Sequence, residues 1–280
     1  MFKPRPGQAG KNVLVKIAEH LDTLRREGEL MAVAADRAGP AAAVPSCPAW
    51  QVKDLLRHTG YVHRWAARHI TEGPAEVIDG PSEAEILRGG AADADLLGWF
   101  RAGHAALVET LASADPAVEC ATFMPAPTPL AFWTRCQAHE TAIHRADAEL
   151  AAGPVDGSAP RYPADFAADG IDELIMGFGQ RRKYQPSAGP GADAGLLRVI
   201  AADTGDAWSI EARHSLLQPR REPVTAAAGR AAAGCTVSGP ASGLYLYLWN
   251  RADASKADVT VTGDPGLLAS WQASVKVRWG

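Results

Sequence analysis

The first half of the chain repeats one pattern, in which apolar residues recur at steps of three and four positions. This spacing places apolar side chains on one side of an α-helix, because the helix completes a turn every 3.6 residues. The pattern covers four segments: Val13–Arg37, Trp50–Ile70, Asp93–Ala114 and Leu130–Ala152. In the first segment, the apolar face is predicted to include Ile17, Leu21, Leu24, Leu30 and Val33. Four amphipathic helices joined by loops predict a helical bundle.

The pattern changes in the second half of the chain. Residues 196–202 and 207–213 are short, partly alternating segments separated by turn residues, which predicts a β-hairpin. Further strands are predicted at residues 235–238 and 259–261. Helices are predicted at residues 164–182, 240–251 and 265–275. Strands interspersed with helices are typical of an α+β domain.

The length of 280 residues favours two domains. The first is predicted to span residues 1–153 and the second residues 163–280. Residues 154–162 between them are rich in glycine, proline and small residues, which is the composition of a linker. The predicted fold is α+β overall, with an N-terminal four-helix bundle followed by a smaller α+β domain.

Composition argues against several classes of protein. A net charge of −4 without a basic patch does not favour nucleic-acid binding. No apolar stretch near the start is long enough for a signal peptide, and none later is long enough for a membrane-spanning helix. A cytoplasmic protein without membrane contact is therefore expected. The cysteines form no Cys-x-x-Cys pair, and they are predicted to be ordinary buried thiols: Cys47, Cys120, Cys136 and Cys235.

Three side chains on two predicted helices have the character of metal ligands. Glu140 and His144 are four residues apart, so they project from one helix face about 6 Å from each other. His58 lies close to the apolar face of the second predicted helix. Two ligands from one helix and a third from its neighbour leave a coordination position open, as in catalytic zinc sites. The sequence therefore predicts a metal site formed by His58, Glu140 and His144.

Other titratable side chains are predicted to lie outside this site. His139 is five residues from His144 and does not share its helix face, which also separates the segment from the zincin signature. His104 on the third helix is the exception: as a fourth ligand, it would give a closed site instead of an open one. The remaining side chains are assigned to other positions: His63 and His69 exposed or at an interface, Cys136 packed as a thiol, and Asp147 and Glu149 solvated or paired along the helix.

Two segments of the first half resemble a known family. They are Val44–His58, which reads VPSCPAWQVKDLLRH, and His139–Arg145, which reads HETAIHR. In the second half, Val237–Arg251 and Val259–Asp264 are similar to the same family. This is the mycothiol-dependent maleylpyruvate isomerase family, and the resemblance spans nearly the whole chain.

The resemblance implies specific features of fold and site. The first domain is expected to have the DinB-like four-helix fold, and His58, Glu140 and His144 match the family's metal triad, which holds a divalent ion, usually zinc. Mycothiol is the implied thiol cofactor. Arg251 matches a functional arginine of the second domain. Asn250 beside it stands where a glycine is expected, so the resemblance leaves the substrate open.

The expected function is metal- and mycothiol-dependent isomerisation or S-transfer on a small, electrophilic, carboxylate-bearing substrate. Two alternatives remain at this stage. One is a metal-dependent hydrolase on the same fold, in which water takes the open position of the ion. The other is a non-catalytic protein that binds a metal or a small molecule. The expected partners are a small substrate and a low-molecular-weight thiol, and the chain is expected to be a monomer or a homodimer.

Overall fold

The computed structural model describes residues 6–153, 160–179, 195–213, 216–228 and 233–275. The chain divides into two compact units near residue 157. Most of the predicted linker, residues 154–159, lies outside the described residues, as does the predicted helical stretch beyond residue 179.

The first unit is helical. Its helices are α1 (Pro6–Ala38), α2 (Val52–Glu72), the short α3 (Glu83–Arg88), α4 (Leu96–Ser113) and α5 (Pro129–Ala152). The four long helices lie where the sequence predicted them. α1 packs mainly against α5 and α2 mainly against α4, with further contacts of α1 with α4 and of α2 with α5. The predicted helical bundle is therefore confirmed.

Local signals fix where α2 and α5 begin. The backbone N–H of Gln51 donates to the Asp54 carboxylate at 2.9 Å at the start of α2. The Thr128 hydroxyl accepts from the backbone N–H of Ala131 at 3.1 Å at the start of α5, and Pro129 follows Thr128 directly. Polar groups at these positions satisfy N–H groups that the first helical turn leaves without partners. They set the register of the two helices that carry the candidate ligands.

One part of the predicted apolar face of α1 is wrong. Leu30 and Val33 are 38% and 57% exposed, whereas the neighbouring Met31 is fully buried. Alanines occupy the remaining buried positions near this end of α1, at residues 32, 34 and 35. Small side chains let two helices approach closely. Whether a residue of α1 is buried here therefore depends more on the side of the helix it occupies than on the size of its side chain. The larger Leu30 and Val33 lie on the outward side.

The second unit begins with α6 (Ala164–Asp172), which continues as a π-helical stretch from Glu173 to Phe178. A mixed five-stranded sheet follows, formed by β1 (Leu196–Ala201), β2 (Asp206–Arg213), β3 (Leu216–Pro223), β4 (Cys235–Gly239) and β5 (Thr260–Gly263). Three helices accompany the sheet: α7 (Val224–Ala228), α8 (Ala241–Leu248) and α9 (Pro265–Val275). This arrangement confirms the α+β prediction.

The strand order is β3-β2-β1-β4-β5, and β1 pairs with β4 in parallel while the other pairs are antiparallel. The β1–β2 hairpin was predicted, but β3 was not. Its sequence contains Pro219 and Pro223, and proline argues against a central strand because it has no N–H to donate. β3 lies at the edge of the sheet, which is where proline is tolerated. Among the described helices, none is both long enough and apolar enough to cross a lipid bilayer.

Candidate metal centre

The structure brings His58, Glu140 and His144 together. His58 lies in the second turn of α2, and Glu140 and His144 lie one turn apart on α5. One ligand atom from each residue falls within 4.8 Å of the other two. Both Nε2 atoms point at the same carboxylate oxygen: Glu140 Oε1 is 3.3 Å from that of His58 and 3.1 Å from that of His144. Three donor atoms from two helices thus surround one point.

The cluster is enclosed mainly on the histidine side. The side chains of His58 and His144 are 2% and 0% exposed, whereas that of Glu140 keeps 15% of its surface. The Trp50 ring lies 4.9 Å from the His58 ring and 6.1 Å from the His144 ring, measured between centroids. Trp50 was not predicted to belong to the site. The carboxylate is therefore the most accessible member of the cluster.

The electrostatics of the cluster are set by burial and by mutual pairing. Burial disfavours the charge on Glu140, but the His144 charge and hydrogen bonds to both imidazoles outweigh it, so the pKa of Glu140 lies well below its ordinary value. Burial likewise disfavours a charged His144, yet Glu140 and then Asp147 outweigh it and raise the pKa of His144 to about 9. In the absence of a metal ion, this pair is charged at neutral pH.

Asp147 is paired along its helix, which is one of the two predicted outcomes, and it is not solvated. Its side chain is fully buried, and its Oδ2 accepts a hydrogen bond from Nδ1 of His144 at 2.8 Å. Its Oδ1 accepts from the hydroxyl of Ser46, which lies in the loop between α1 and α2. Asp147 follows His144 by three residues, so the two share a helix face. The three-residue spacing indicates that Asp147 can pair with His144, but it does not show that the Asp147 side chain is buried. Glu149 is paired along the helix with Arg145 at 2.7 Å, as predicted.

His63 and His69 were predicted to be exposed or at an interface; exposure to solvent is wrong, because both are fully buried. Nε2 of His63 lies 2.9 Å from the Thr141 hydroxyl, which links α2 to α5. His69 Nδ1 donates to the carbonyl of Trp65 at 2.9 Å, and its Nε2 accepts the backbone N–H of Ile78 at 3.0 Å. Burial lowers the pKa of both rings. These histidines connect parts of the bundle as neutral hydrogen-bonding groups.

The other candidates also have defined positions. Nε2 of His104 lies 2.9 Å from the carbonyl of Leu24, and His104 is not a member of the triad cluster. His139 is buried, with its ring centroid 5.8 Å from that of His20. All four cysteines are free thiols; Cys47, Cys136 and Cys235 are buried, and Cys120 is half-buried.

Arg251 belongs to the second unit and follows α8. It is 8% exposed, and its Nη1 donates to the carbonyl of Trp249 at 2.7 Å. The preceding residue, Asn250, has a φ of 62°, which is in the left-handed region. Glycine and asparagine are the residues that adopt this conformation most readily. This backbone requirement explains why asparagine can stand where glycine was expected.

Fold and site together define a two-part α+β protein whose helical bundle carries a buried His–Glu–His cluster. Comparison with known proteins agrees with this description. The profile of the mycothiol maleylpyruvate isomerase N-terminal domain matches residues 21–149, and the profile of the C-terminal domain of the same enzymes matches residues 165–270. The chain therefore belongs to the mycothiol-dependent maleylpyruvate isomerase family. The resemblance seen in the sequence is confirmed, and with it the assignment of the chain to a family of enzymes.

Two solved structures have a similar fold. One is a histidine-to-alanine mutant of the mycothiol-dependent maleylpyruvate isomerase, with 17% identity, a TM-score of 0.58 and coverage of 88% of this chain and 92% of that one. The other is that isomerase without the mutation, with 16% identity, a TM-score of 0.57 and the same coverage of 88% and 92%. No curated protein sequence matches the chain.

Proposed function

We propose that the chain is a metal- and thiol-dependent isomerase or S-transferase, with a divalent ion held by His58, Glu140 and His144. The observation that carries the proposal is the convergence of both Nε2 atoms on one carboxylate oxygen inside the bundle. Two imidazoles and one carboxylate from facing helices are the usual donors of a catalytic zinc site. This donor set suits several divalent ions, and we propose Zn²⁺ because it is the ion that the family resemblance implies.

The hydrogen bonding of His144 supports an ion at this point. Its Nδ1 faces the Asp147 carboxylate and its Nε2 faces the Glu140 carboxylate. An ionised carboxylate only accepts hydrogen bonds, so both ring nitrogens must carry a proton unless a cation lies on the Nε2 side. A divalent ion held by His144 and Glu140 would fit this requirement, because it would supply the positive charge that the Nε2 proton otherwise supplies. The residues present therefore suit the metal that the family implies.

The surroundings of the cluster suit thiol chemistry. A bound divalent ion lowers the pKa of a coordinating thiol, so that the thiolate forms at neutral pH. The buried His58, His144 and Trp50 keep water from one side of the cluster, and the more exposed Glu140 marks the side from which small molecules arrive. A thiolate that adds to a cis double bond allows rotation about the resulting single bond. The addition moves the electron pair of the double bond onto the substrate as an enolate. Re-forming the double bond with loss of the thiolate gives the trans isomer, whereas protonation of the enolate carbon by water gives the thioether product of S-transfer.

Mycothiol is the thiol we propose, and a small electrophile of the maleylpyruvate type is the proposed substrate. Both follow from membership of the family. We further propose that Arg251 pairs with a substrate carboxylate, since a guanidinium binds carboxylates with two parallel hydrogen bonds. This role rests on the match of Arg251 to the functional arginine of the family.

The direct test is an assay of isomerisation by the zinc-loaded protein with maleylpyruvate, with and without mycothiol. We expect turnover only when both zinc and mycothiol are present. His144→Ala is expected to lose metal and activity while its circular dichroism spectrum stays helical. Hydrolysis that needs zinc but no thiol would instead indicate a metal-dependent hydrolase. Saturable binding without turnover would indicate a binding protein.

A further inference from the structure

Asp147 is a fully buried carboxylate with a defined partner on each oxygen. One oxygen accepts from His144 Nδ1 at 2.8 Å, and the other accepts from the hydroxyl of Ser46. A buried charge is costly unless hydrogen bonds and opposite charge compensate it. The groups that compensate Asp147 include one ring of the His–Glu–His cluster.

We propose that Asp147 is a positioning residue for the metal ligand His144, and that Ser46 fixes Asp147 in turn. The proposal rests on the proposed function, because it assigns a role toward the same ion. A carboxylate on Nδ1 keeps a proton there and leaves Nε2 as the ligand atom. It also fixes the rotation of the ring about the bond to Cβ, so that Nε2 stays directed toward Glu140.

Ser46 holds Asp147 from outside helix α5. The loop that carries Ser46 is tied together by backbone hydrogen bonds, from Val44 N–H to the Trp50 carbonyl at 3.0 Å and from Val52 N–H to the Ala42 carbonyl at 2.9 Å. The same loop ends in Trp50, whose ring packs near both imidazoles of the cluster.

His144 is thus oriented by two parts of the chain that are far apart in sequence. A merely structural role for Asp147 would predict a loss of stability without a selective effect on the ligand atom. A positioning role predicts a selective loss of zinc affinity.

The experiment compares zinc affinity in the wild type, Asp147→Asn and Ser46→Ala, measured by competition with a chromogenic chelator. Glu149→Gln is the matched control, because Glu149 is a carboxylate on the same helix that pairs with Arg145 and not with the cluster. We expect Asp147→Asn to weaken zinc binding by about 10-fold to 100-fold, the usual effect of losing such a partner. We expect a smaller loss, about threefold to tenfold, for Ser46→Ala, since one hydrogen bond to Asp147 is removed. The control should bind zinc like the wild type.

A second readout does not depend on the metal. Two-bond ¹H–¹⁵N NMR spectra of the metal-free protein above pH 9 report which ring nitrogen of neutral His144 carries the proton. We expect mainly Nδ1–H in the wild type, because Nδ1 lies 2.8 Å from Asp147 whereas Nε2 lies 3.1 Å from Glu140. We expect a shift toward Nε2–H in Asp147→Asn, because the asparagine amide can donate to Nδ1 while Glu140 still accepts from Nε2.

The outcomes separate this proposal from the proposed function. If Asp147→Asn binds zinc like the wild type, the positioning role is refuted even when the enzyme is an active isomerase. If the wild type binds no zinc, the proposed function fails, and an unchanged His144 tautomer in Asp147→Asn refutes the positioning role separately. Should Asp147→Asn not fold, the affinity of Ser46→Ala decides, and an unchanged value refutes the proposal.

Discussion

Zinc binding by this protein should depend steeply on pH, because one ligand must first lose a proton. His144 lies between the carboxylates of Glu140 and Asp147, which together outweigh burial and hold its pKa at about 9. The ring is therefore protonated in nearly all metal-free molecules at neutral pH. An ion that binds Nε2 must displace this proton, so zinc affinity should rise as the pH rises and level off above the pKa.

The magnitude follows from the same equilibrium. Below the pKa of His144, each pH unit should change the apparent dissociation constant by about tenfold, because one proton is released per ion bound. The expected slope of log Kd against pH between pH 7 and pH 8 is therefore close to minus one. Calorimetry in two buffers with different ionisation enthalpies measures the released proton independently of the affinity.

A matched variant tests the origin of the slope. His144→Gln cannot carry the displaced proton, so its residual, weaker zinc binding through His58 and Glu140 should lose most of the pH dependence in this range. A wild-type affinity that is constant between pH 7 and pH 8, with no proton release, would refute the reasoning. It would mean that His144 is neutral in the metal-free protein or does not bind the ion.

Three further predictions concern stability, each measured by urea unfolding. Asn250→Ala should lower the free energy of unfolding by about 1 kcal/mol while Asn250→Gly changes it little, because alanine is strained at a φ of 62°. Met31→Thr should cost about 2 kcal/mol or more, whereas Val33→Thr should change stability by less than about 0.5 kcal/mol, since Val33 is mostly exposed. Glu27→Gln should cost about 1 to 3 kcal/mol, because Glu27 is buried and pairs with Arg145 at 3.0 Å.

The bundle and the triad could be predicted because they depend on regular geometry. Helical periodicity identified the four long helices, and a spacing of four residues placed Glu140 and His144 on one face. The β1–β2 hairpin was likewise visible as two short alternating segments around a turn. In each case the local pattern and the final packing agree.

The errors arose where burial depends on the partner helix. His63 and His69 were predicted to be exposed or at an interface, but hydrogen bonds to Thr141 and to the backbone allow both to be buried. Leu30 and Val33 were assigned to the core by their hydrophobicity and spacing, but the buried residues at this end of α1 are Met31 and the alanines at positions 32, 34 and 35. A single sequence gives composition and spacing, and it does not show which face meets a neighbour.

The supporting residues of the site were missed for a related reason. Ser46 and Asp147 are 101 positions apart in the sequence, and no local spacing links them. Strand β3 was missed because its prolines argue against pairing, and only the sheet order shows that it lies at an edge. Long-range pairing is what the folded structure adds.

The most direct test of the central claim is the metal content of the purified protein, measured beside that of His58→Ala after zinc loading and dialysis. We expect about one zinc ion per chain in the wild type and a large loss in the variant, because His58 is the proposed ligand on α2 that faces the pair on α5. Retention of one zinc ion by His58→Ala, or none in the zinc-loaded wild type, would contradict the assignment of His58, Glu140 and His144 as the metal site.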